Sequence, residues 1–165
     1  GINAEYGDMP PKPDPKAQKA PSGIDKFIFK NGSKYEGEYT TNGNVVVRQG
    51  QGKYIESLTT LDPYDVPGLE PDEINAEIVQ IFEGTWDNDQ FVEGTVTYAD
   101  GSKYKGKFID GAYSEGIYTF VDGSQWIGPF KFNKMNGEGI FIDKAGKKWK
   151  GTMEDNQCEA LIELK

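Results

Sequence analysis

From residue 24 onward, apolar and polar positions alternate with the two-residue period of a β-strand. The segment from Tyr35 to Tyr39 reads YEGEY, so two aromatic residues and the glycine between them share one face, and the two glutamates share the other. A second type of segment alternates in the same way: Gly116, Tyr118 and Phe120 point to one face of a strand. One segment of each type, taken together, predicts a β-hairpin.

The hairpin pattern recurs at a fixed interval. The aromatic-x-Gly-x-aromatic segments begin at Tyr35, Phe82, Tyr104, Trp126 and, less perfectly, Trp149, and the last three steps are 22, 22 and 23 residues. A second glycine follows about ten residues after the first, at Gly94, Gly116 and Gly139, and an Asx-Gly-Ser triplet ends at Ser33, Ser102 and Ser124. Three markers in one phase predict a repeat array.

Turn chemistry and atypical ends complete the array. The Asx-Gly-Ser triplets supply the positive φ angle that joins one hairpin to the next. The array opens on a half repeat at 27–32 and closes on an incomplete unit in which Ala160 replaces the repeat glycine. Such ends are typical of a capped solenoid, and the sequence therefore predicts an all-β fold of consecutive β-hairpins.

Two segments depart from the repeat. Residues 1–23 hold five of the nine prolines and predict a Pro-rich, disordered-like tail; an alternative is a docking peptide around 10–15 for a proline-recognising partner. The array, 24–165, is interrupted at 56–80, where seven acidic side chains, no basic one and three prolines predict an irregular acidic insertion. Within it, 71–79 predicts a short helix with Pro71 at its first position.

These residues and motifs resemble those of a MORN-repeat protein, over most of 24–164 and outside 56–80. The resemblance implies an elongated single-layer antiparallel sheet, twisted into a groove, that serves as a protein-binding scaffold in a cytoskeletal or ciliary assembly. It implies no catalysis and favours a cytoplasmic location. One departure lies at Pro129, inside a strand motif, where the missing N–H predicts incomplete pairing.

Composition narrows the possible functions. The formal charge is -9, which disfavours nucleic-acid binding because phosphate contacts need a basic surface. There is no histidine, which excludes His-dependent triads and His-containing zinc sites. Cys158 is the single cysteine, so an intramolecular disulfide is excluded. We expect a protein that is not an enzyme and has no catalytic residue, metal or cofactor.

The candidate site is the row of aromatic residues. A single-layer sheet cannot bury both faces, so some rings remain accessible to a partner's amphipathic helix or extended segment. In the alternative interpretation the rings pack only on glycines and one another. The predicted partner-binding residues are Tyr35, Tyr39, Phe82, Trp86, Tyr104, Phe108, Trp126, Phe130 and Trp149.

A second hypothesis concerns lysines near the end of the array. Lys144, Lys147, Lys148 and Lys150 predict a weak contact with an anionic membrane or a phosphoinositide. The alternative is a solvated face beside an acidic insertion. A homodimer is also possible, because terminal strands of an open sheet can pair with a second copy.

Overall fold

The computed structural model describes residues 22–58 and 77–165, which form one open, antiparallel, single-layer β-sheet. The strands are β1 Ser22–Ile28, β2 Lys34–Asn42, β3 Val45–Leu58, β4 Glu77–Asp87, β5 Gln90–Tyr98, β6 Lys103–Ile109, β7 Ala112–Thr119, β8 Gln125–Lys131, β9 Lys134–Met135, β10 Gly137–Ile142, β11 Lys148–Met153 and β12 Ile162–Glu163. Their order in the sheet follows the chain from β1 to β8 and continues with β10, β11 and β12, while the short β9 pairs with β8 alone. The predicted all-β fold of consecutive hairpins is confirmed.

No helix occurs in the described ranges. Accordingly, nothing in 22–58 or 77–165 has the helical length and apolar character of a membrane span.

Two kinds of turn alternate along the two long edges of the sheet. At the first edge, the Asx-Gly-Ser turns place Gly32, Gly101 and Gly123 at φ angles of 89°, 93° and 91°. The serine N–H of each triplet donates to the Asx side chain at 2.9 Å. The predicted positive-φ turn is therefore confirmed. We call the opposite edge the tip edge, because the hairpins β2–β3, β4–β5, β6–β7 and β8–β9 turn there.

Strand register collects the rings on one face, which we call the aromatic face. One row of directly opposed residues crosses ten strands: Phe27, Tyr35, Tyr54, Phe82, Val96, Tyr104, Tyr118, Trp126, Phe141 and Trp149. The neighbouring row on the other face, the outer face, is Lys26, Glu36, Lys53, Glu83, Thr95, Lys105, Ile117, Ile127, Ile140 and Lys150. Directly opposed residues share a face, so the repeat period becomes a stripe across the sheet.

The core consists of rings folded onto bare backbone. A row of glycines, including Gly106 opposite Gly116, runs beside the ring row. Tyr104 is fully buried, and its hydroxyl donates to the carbonyl oxygen of Lys107 at 2.8 Å across these glycines. A Cβ added at Gly116 would lie 2.8 Å from Cζ of Tyr104. The sheet has no second layer to cover the rings. The rings are buried because the glycines, which have no side chain, leave space for them directly against the backbone.

The strands reach beyond the predicted boundaries of the array. β1 begins at Ser22, within the predicted tail, and β3 and β4 continue into 56–80, where Glu56 opposes Gln80 and Ser57 opposes Ile78. Of the predicted helix at 71–79, residues 77–79 belong to β4, because pairing with β3 overrides their local preference. Residues 1–21 and 59–76, with the rest of that helix and most of the tail, lie outside the described residues.

Pro129 interrupts pairing on one side of β8. It still opposes Glu115 of β7, but the register between β8 and β10 ends at Ile127, two residues earlier. The carbonyl oxygen of Pro129 instead accepts a hydrogen bond from the N–H of Asn136 at 3.1 Å. The incomplete pairing predicted from the missing N–H is present.

Candidate functional site

The nine predicted partner-binding residues all lie on the aromatic face, but with different exposure. Five are buried: Tyr35, Trp86, Tyr104, Phe108 and Trp126. Four are half-buried: Tyr39, Phe82, Phe130 and Trp149. The five buried rings pack on glycines and on one another, as the alternative interpretation has it, and have almost no surface to offer. Partner binding remains a prediction for the half-buried rings.

Trp126 and Trp149 show how position in the array sets the exposure of a ring. Trp126 is fully buried, and a Cβ added at Gly139 of the next strand would meet its ring. Trp149 lies in β11, where the following strand, β12, has only two residues. Its Nε1–H donates to the Asp143 carboxylate at 3.0 Å, toward the first edge. The last ring of the array is therefore oriented and covered differently from the others.

Arg48 covers the aromatic face in its N-terminal half. Its guanidinium carbon lies 4.5 Å from the ring centroid of Tyr54 and 4.3 Å from that of Trp86. Nε of Arg48 is 2.7 Å from Oδ1 of Asp89, which holds the side chain across the rings. This side chain is 18% exposed. Stacking on the rings and the ion pair with Asp89 therefore hold Arg48 over the N-terminal half of the aromatic face and cover its rings.

The C-terminal half of the face contains an open cavity of about 550 Å³. We call it the tyrosine pocket; it is lined by Tyr98, Tyr113, Tyr118, Phe120, Phe130, Asn133, Met135 and Asn156. Its five rings and Met135 are all half-buried, and none of the described residues that line it is charged. This volume lies within the range of about 300–1,000 Å³ that is typical of ligand sites. Of the nine predicted residues, only Phe130 lines this pocket.

Two asparagines form the rim of the tyrosine pocket at the tip edge. Oδ1 of Asn133 accepts the backbone N–H of Tyr113 at 2.8 Å, and Oδ1 of Asn156 accepts that of Met135 at 2.7 Å. Each asparagine ties its own turn to the preceding hairpin. Since the carboxamide oxygen is engaged, Nδ2 is the polar group that each side chain can offer to an occupant.

Sequence reasoning missed most of the tyrosine pocket, although signals for it existed. The rim position recurs as Asp89, Gly111, Asn133 and Asn156, in steps of 22, 22 and 23 residues. That phase matches the repeat and marks a turn residue with a shared role. The rings of Tyr113, Tyr118 and Phe120 come from second strands of hairpins, whereas the predicted set used first strands only.

One phenol of the pocket, that of Tyr98, and the neighbouring buried phenol of Tyr104 have raised pKa values. Burial, with smaller contributions from the neighbouring phenols of Tyr118 and Tyr104, raises the pKa of Tyr98 to about 12. Burial likewise raises the pKa of Tyr104 to about 12. The hydroxyl of Tyr118 donates to Oγ of Ser102 at 3.3 Å. At neutral pH the Tyr98 phenol is therefore an uncharged hydroxyl group that can donate a hydrogen bond.

The four lysines proposed for membrane contact do not form one uniform patch. Lys148 and Lys150 lie in β11, while Lys144 and Lys147 lie in the turn that precedes it. Nζ of Lys147 is 3.4 Å from a carboxylate oxygen of Glu163, and Nζ of Lys150 is 3.7 Å from one of Glu138. These carboxylates offset about half of the local positive charge. Membrane contact at this end stays a prediction.

Across 22–58 and 77–165 no group of three or more Cys, Asp or Glu side chains is placed to hold a metal ion. A comparison of the sequence with protein-family models gives no match, and a comparison with curated proteins gives no significant match.

Proposed function

We propose that this protein is a non-enzymatic scaffold that binds a segment of a partner protein on its aromatic face, in the tyrosine pocket. The tyrosine pocket itself is the observation that carries the proposal: half-buried rings surround an uncharged cavity of about 550 Å³. Exposed aromatic groups of this kind are costly to leave in water and are enriched at protein interfaces. They favour an occupant with apolar side chains.

The rest of the sheet supports the assignment of binding to this half. Arg48 fills the corresponding surface in the N-terminal half, and the buried ring of Tyr104 packs against the pocket rings of Tyr113 and Phe130. A rigid, preformed site loses little conformational entropy when it binds. An amphipathic helix or an extended segment would lie across the strands, with apolar side chains between the rings of Tyr118 and Phe130.

The resemblance to MORN-repeat proteins extends the proposal to the cellular setting. On that basis the partner belongs to a cytoskeletal or ciliary assembly, and the protein acts in the cytoplasm. The proposed cellular setting rests on the recurring aromatic-Gly-aromatic strands. The proposed binding function rests on the pocket and does not depend on the resemblance.

Paired variants on the two faces of the sheet test the proposal. Phe120→Gln with Met135→Gln makes the tyrosine pocket polar, and Ile117→Gln with Ile127→Gln makes the same change on the outer face. Proteins captured from native cells by each variant are quantified by mass spectrometry. We expect the pocket variant to capture at least about tenfold less of a specific partner, which corresponds to a loss of about 1.4 kcal/mol in binding free energy. The outer-face variant should capture as much of that partner as the unaltered protein.

Circular dichroism of both variants establishes that the sheet is intact. The proposal is refuted if the outer-face variant loses the captured proteins while the pocket variant keeps them. Equal capture by both variants and the unaltered protein would equally exclude the tyrosine pocket as the binding surface.

A further inference from the structure

A proline-rich sequence lies upstream of β1. Residues 10–15 read PPKPDP, in which four of six residues are proline. Proline has no N–H, so this segment presents mainly carbonyl oxygens, which accept hydrogen bonds. Proline also restricts the unbound chain to extended polyproline II conformations, which lowers the entropy lost on binding. A complementary site would combine flat apolar rings with hydrogen-bond donors.

The tyrosine pocket has this combination of groups. Its rings can receive proline side chains, and Tyr98 carries a phenol that remains a donor at neutral pH. The oxygens of Asn133 and Asn156 are already engaged by backbone N–H groups, which leaves their Nδ2 groups for carbonyl acceptors. Rings that alternate with such donors are the features by which proteins bind polyproline II segments.

The edge at which the chain enters the sheet places the proline-rich segment on the same side as the rim of the tyrosine pocket. Ser22 opposes Thr40, near the tip of the β2–β3 hairpin, so the chain enters the sheet at the tip edge. Asn133 and Asn156 lie on the same edge, at the rim of the tyrosine pocket. The upstream segment therefore starts at the edge of the sheet where these two asparagines lie.

The chain is also long enough. The part of the pocket between β5 and β8 lies four to seven strand spacings from β1, or roughly 19–34 Å at about 4.8 Å per spacing, whereas Met135 in β9 and Asn156 after β11 lie farther from β1. Pro15 and Pro10 precede Ser22 by 7 and 12 residues, which corresponds to roughly 22–37 Å at about 3.1 Å per residue. The two intervals coincide almost completely, so an extended chain can place 10–15 in the pocket.

Charge along the connecting edge is complementary. The stretch 10–19 carries three lysines and one aspartate. The exposed carboxylate of Asp87 lies at the β4–β5 tip and that of Asp110 at the β6–β7 tip, while the exposed Lys131 and Lys134 lie at the β8–β9 tip on either side of Asn133. Lysines that follow the tip edge from β1 would meet both acids before they reach Lys131. The insertion, with seven acidic side chains and no basic one, instead joins β3 to β4 at the first edge, on the side of the sheet away from Asn133.

We propose that the tyrosine pocket binds the chain's own segment 10–15, so that the protein covers its pocket until a partner displaces the segment. The inference goes beyond the proposed function, because an intramolecular occupant needs no partner protein. A tether of this length gives an effective concentration in the millimolar range. A segment with an intrinsic Kd of ~1 mM would then fill the pocket about half of the time and weaken partner binding about twofold.

Paramagnetic relaxation in the full-length chain tests this inference directly. A nitroxide is attached at Lys12→Cys in a Cys158→Ser background, and the backbone amide signals are recorded by NMR. We expect the amides of Tyr113, Tyr118 and Phe120 to lose about half of their intensity or more, in keeping with the occupancy. Replacing the four prolines Pro10, Pro11, Pro13 and Pro15 with Ala in the labelled protein should restore these signals.

Three further arms identify the occupant. A synthetic peptide of residues 8–19, added to the proline-free variant, should shift the same amide signals. Unchanged pocket signals in the labelled protein, or equal broadening with and without the prolines, would overturn the inference. Broadening from a label at Val66→Cys would assign the pocket to the acidic insertion and overturn it as well. Broadening transferred to an unlabelled copy mixed with labelled protein would assign it to a second molecule, with the same consequence.

These outcomes are independent of partner capture. If 10–15 does not broaden the pocket signals but Phe120→Gln with Met135→Gln still abolishes partner capture, the proposed function stands and the intramolecular contact is excluded. If the contact is present and no partner depends on the pocket, the reverse conclusion follows.

Discussion

The glycine row makes a sharp prediction about how this sheet is stabilised. Gly116 lies in β7 opposite Gly106 and under the ring of Tyr104. A Cβ at position 116 would lie 2.8 Å from Cζ and from the hydroxyl oxygen of Tyr104, and 2.5 Å from the carbonyl oxygen of Lys105. No positive φ angle is present at Gly116, so the effect of Gly116→Ala comes from the contact alone.

The expected cost follows from these distances. Ordinary contact between carbon atoms needs about 3.5 Å, so the Tyr104 ring must move by roughly 0.7 Å, and the strand that carries the Lys105 carbonyl oxygen, 2.5 Å from the added Cβ, must move as well. Overpacking of this kind costs about 1–3 kcal/mol, and a lost hydrogen bond from Tyr104 to Lys107 adds about 1 kcal/mol. Reduced entropy of the unfolded chain offsets about 0.5–1 kcal/mol. We expect Gly116→Ala to lower the free energy of unfolding by about 2–3 kcal/mol.

Urea and thermal unfolding of the full-length chain measure this change. Far-ultraviolet circular dichroism and tryptophan fluorescence should give coincident curves, which establishes a single transition. The thermal midpoint should fall by about 6–10 °C. Gly23→Ala is the matched control, because its Cβ would lie 3.6 Å from Cε1 of Tyr39, an ordinary contact in a strand.

A second variant separates the ring from the backbone as the cause. In a Tyr104→Ala background the ring contact is absent while the contact with the Lys105 carbonyl oxygen remains, so Gly116→Ala should cost about 1 kcal/mol less than in the unaltered protein. The reasoning fails if Gly116→Ala and Gly23→Ala have equal stability, or if the cost at 116 is the same with and without the ring. Either result would mean that the rings do not depend on bare backbone for their packing.

Two further predictions concern charge. The phenols of Tyr98 and Tyr104 have pKa values near 12 in the folded protein against an ordinary value of 10, so their contribution to stability is present below pH 10 and is lost as the pH rises through 12. Ultraviolet titration should show these phenols ionising with alkaline unfolding, and normal titration in a folded sheet would contradict the prediction. For membrane contact, two of the four C-terminal lysines already face carboxylates, so we expect weak sedimentation with anionic vesicles at low salt. It should disappear in Lys144→Gln with Lys148→Gln, and strong binding that persists in this variant would contradict the assignment.

The strands and turns could be predicted because their determinants are local. A two-residue period assigns Tyr35, Gly37 and Tyr39 to one face wherever the strand pairs. The Asx-Gly-Ser turns need a residue that accepts positive φ, and Gly32 is placed accordingly. Three local markers in one phase were sufficient to predict the hairpin array before its register was known.

The exposure of individual rings could not be predicted, because it depends on neighbours from other strands. Trp126 and Trp149 occupy the same position in the repeat, yet only Trp126 is buried. Arg48 covers the ring of Trp86, which lies in the neighbouring strand and 38 residues away in the sequence. These contacts cannot be predicted from the alternation of residues or from the repeat period.

By itself, the sequence determined the hairpin pattern, where the repeated turns fall and which side chains share a face, since each follows from the geometry of a few consecutive residues, while the strand ends at 22–23, 56–58 and 77–80 depended on pairing between strands. Only the tertiary structure decided which part of the aromatic face is filled and which part is open. Arg48 closes one half, and the tyrosine pocket remains in the other. The physical reason is that burial measures the atoms packed above a side chain, and in a sheet those atoms come from neighbouring strands.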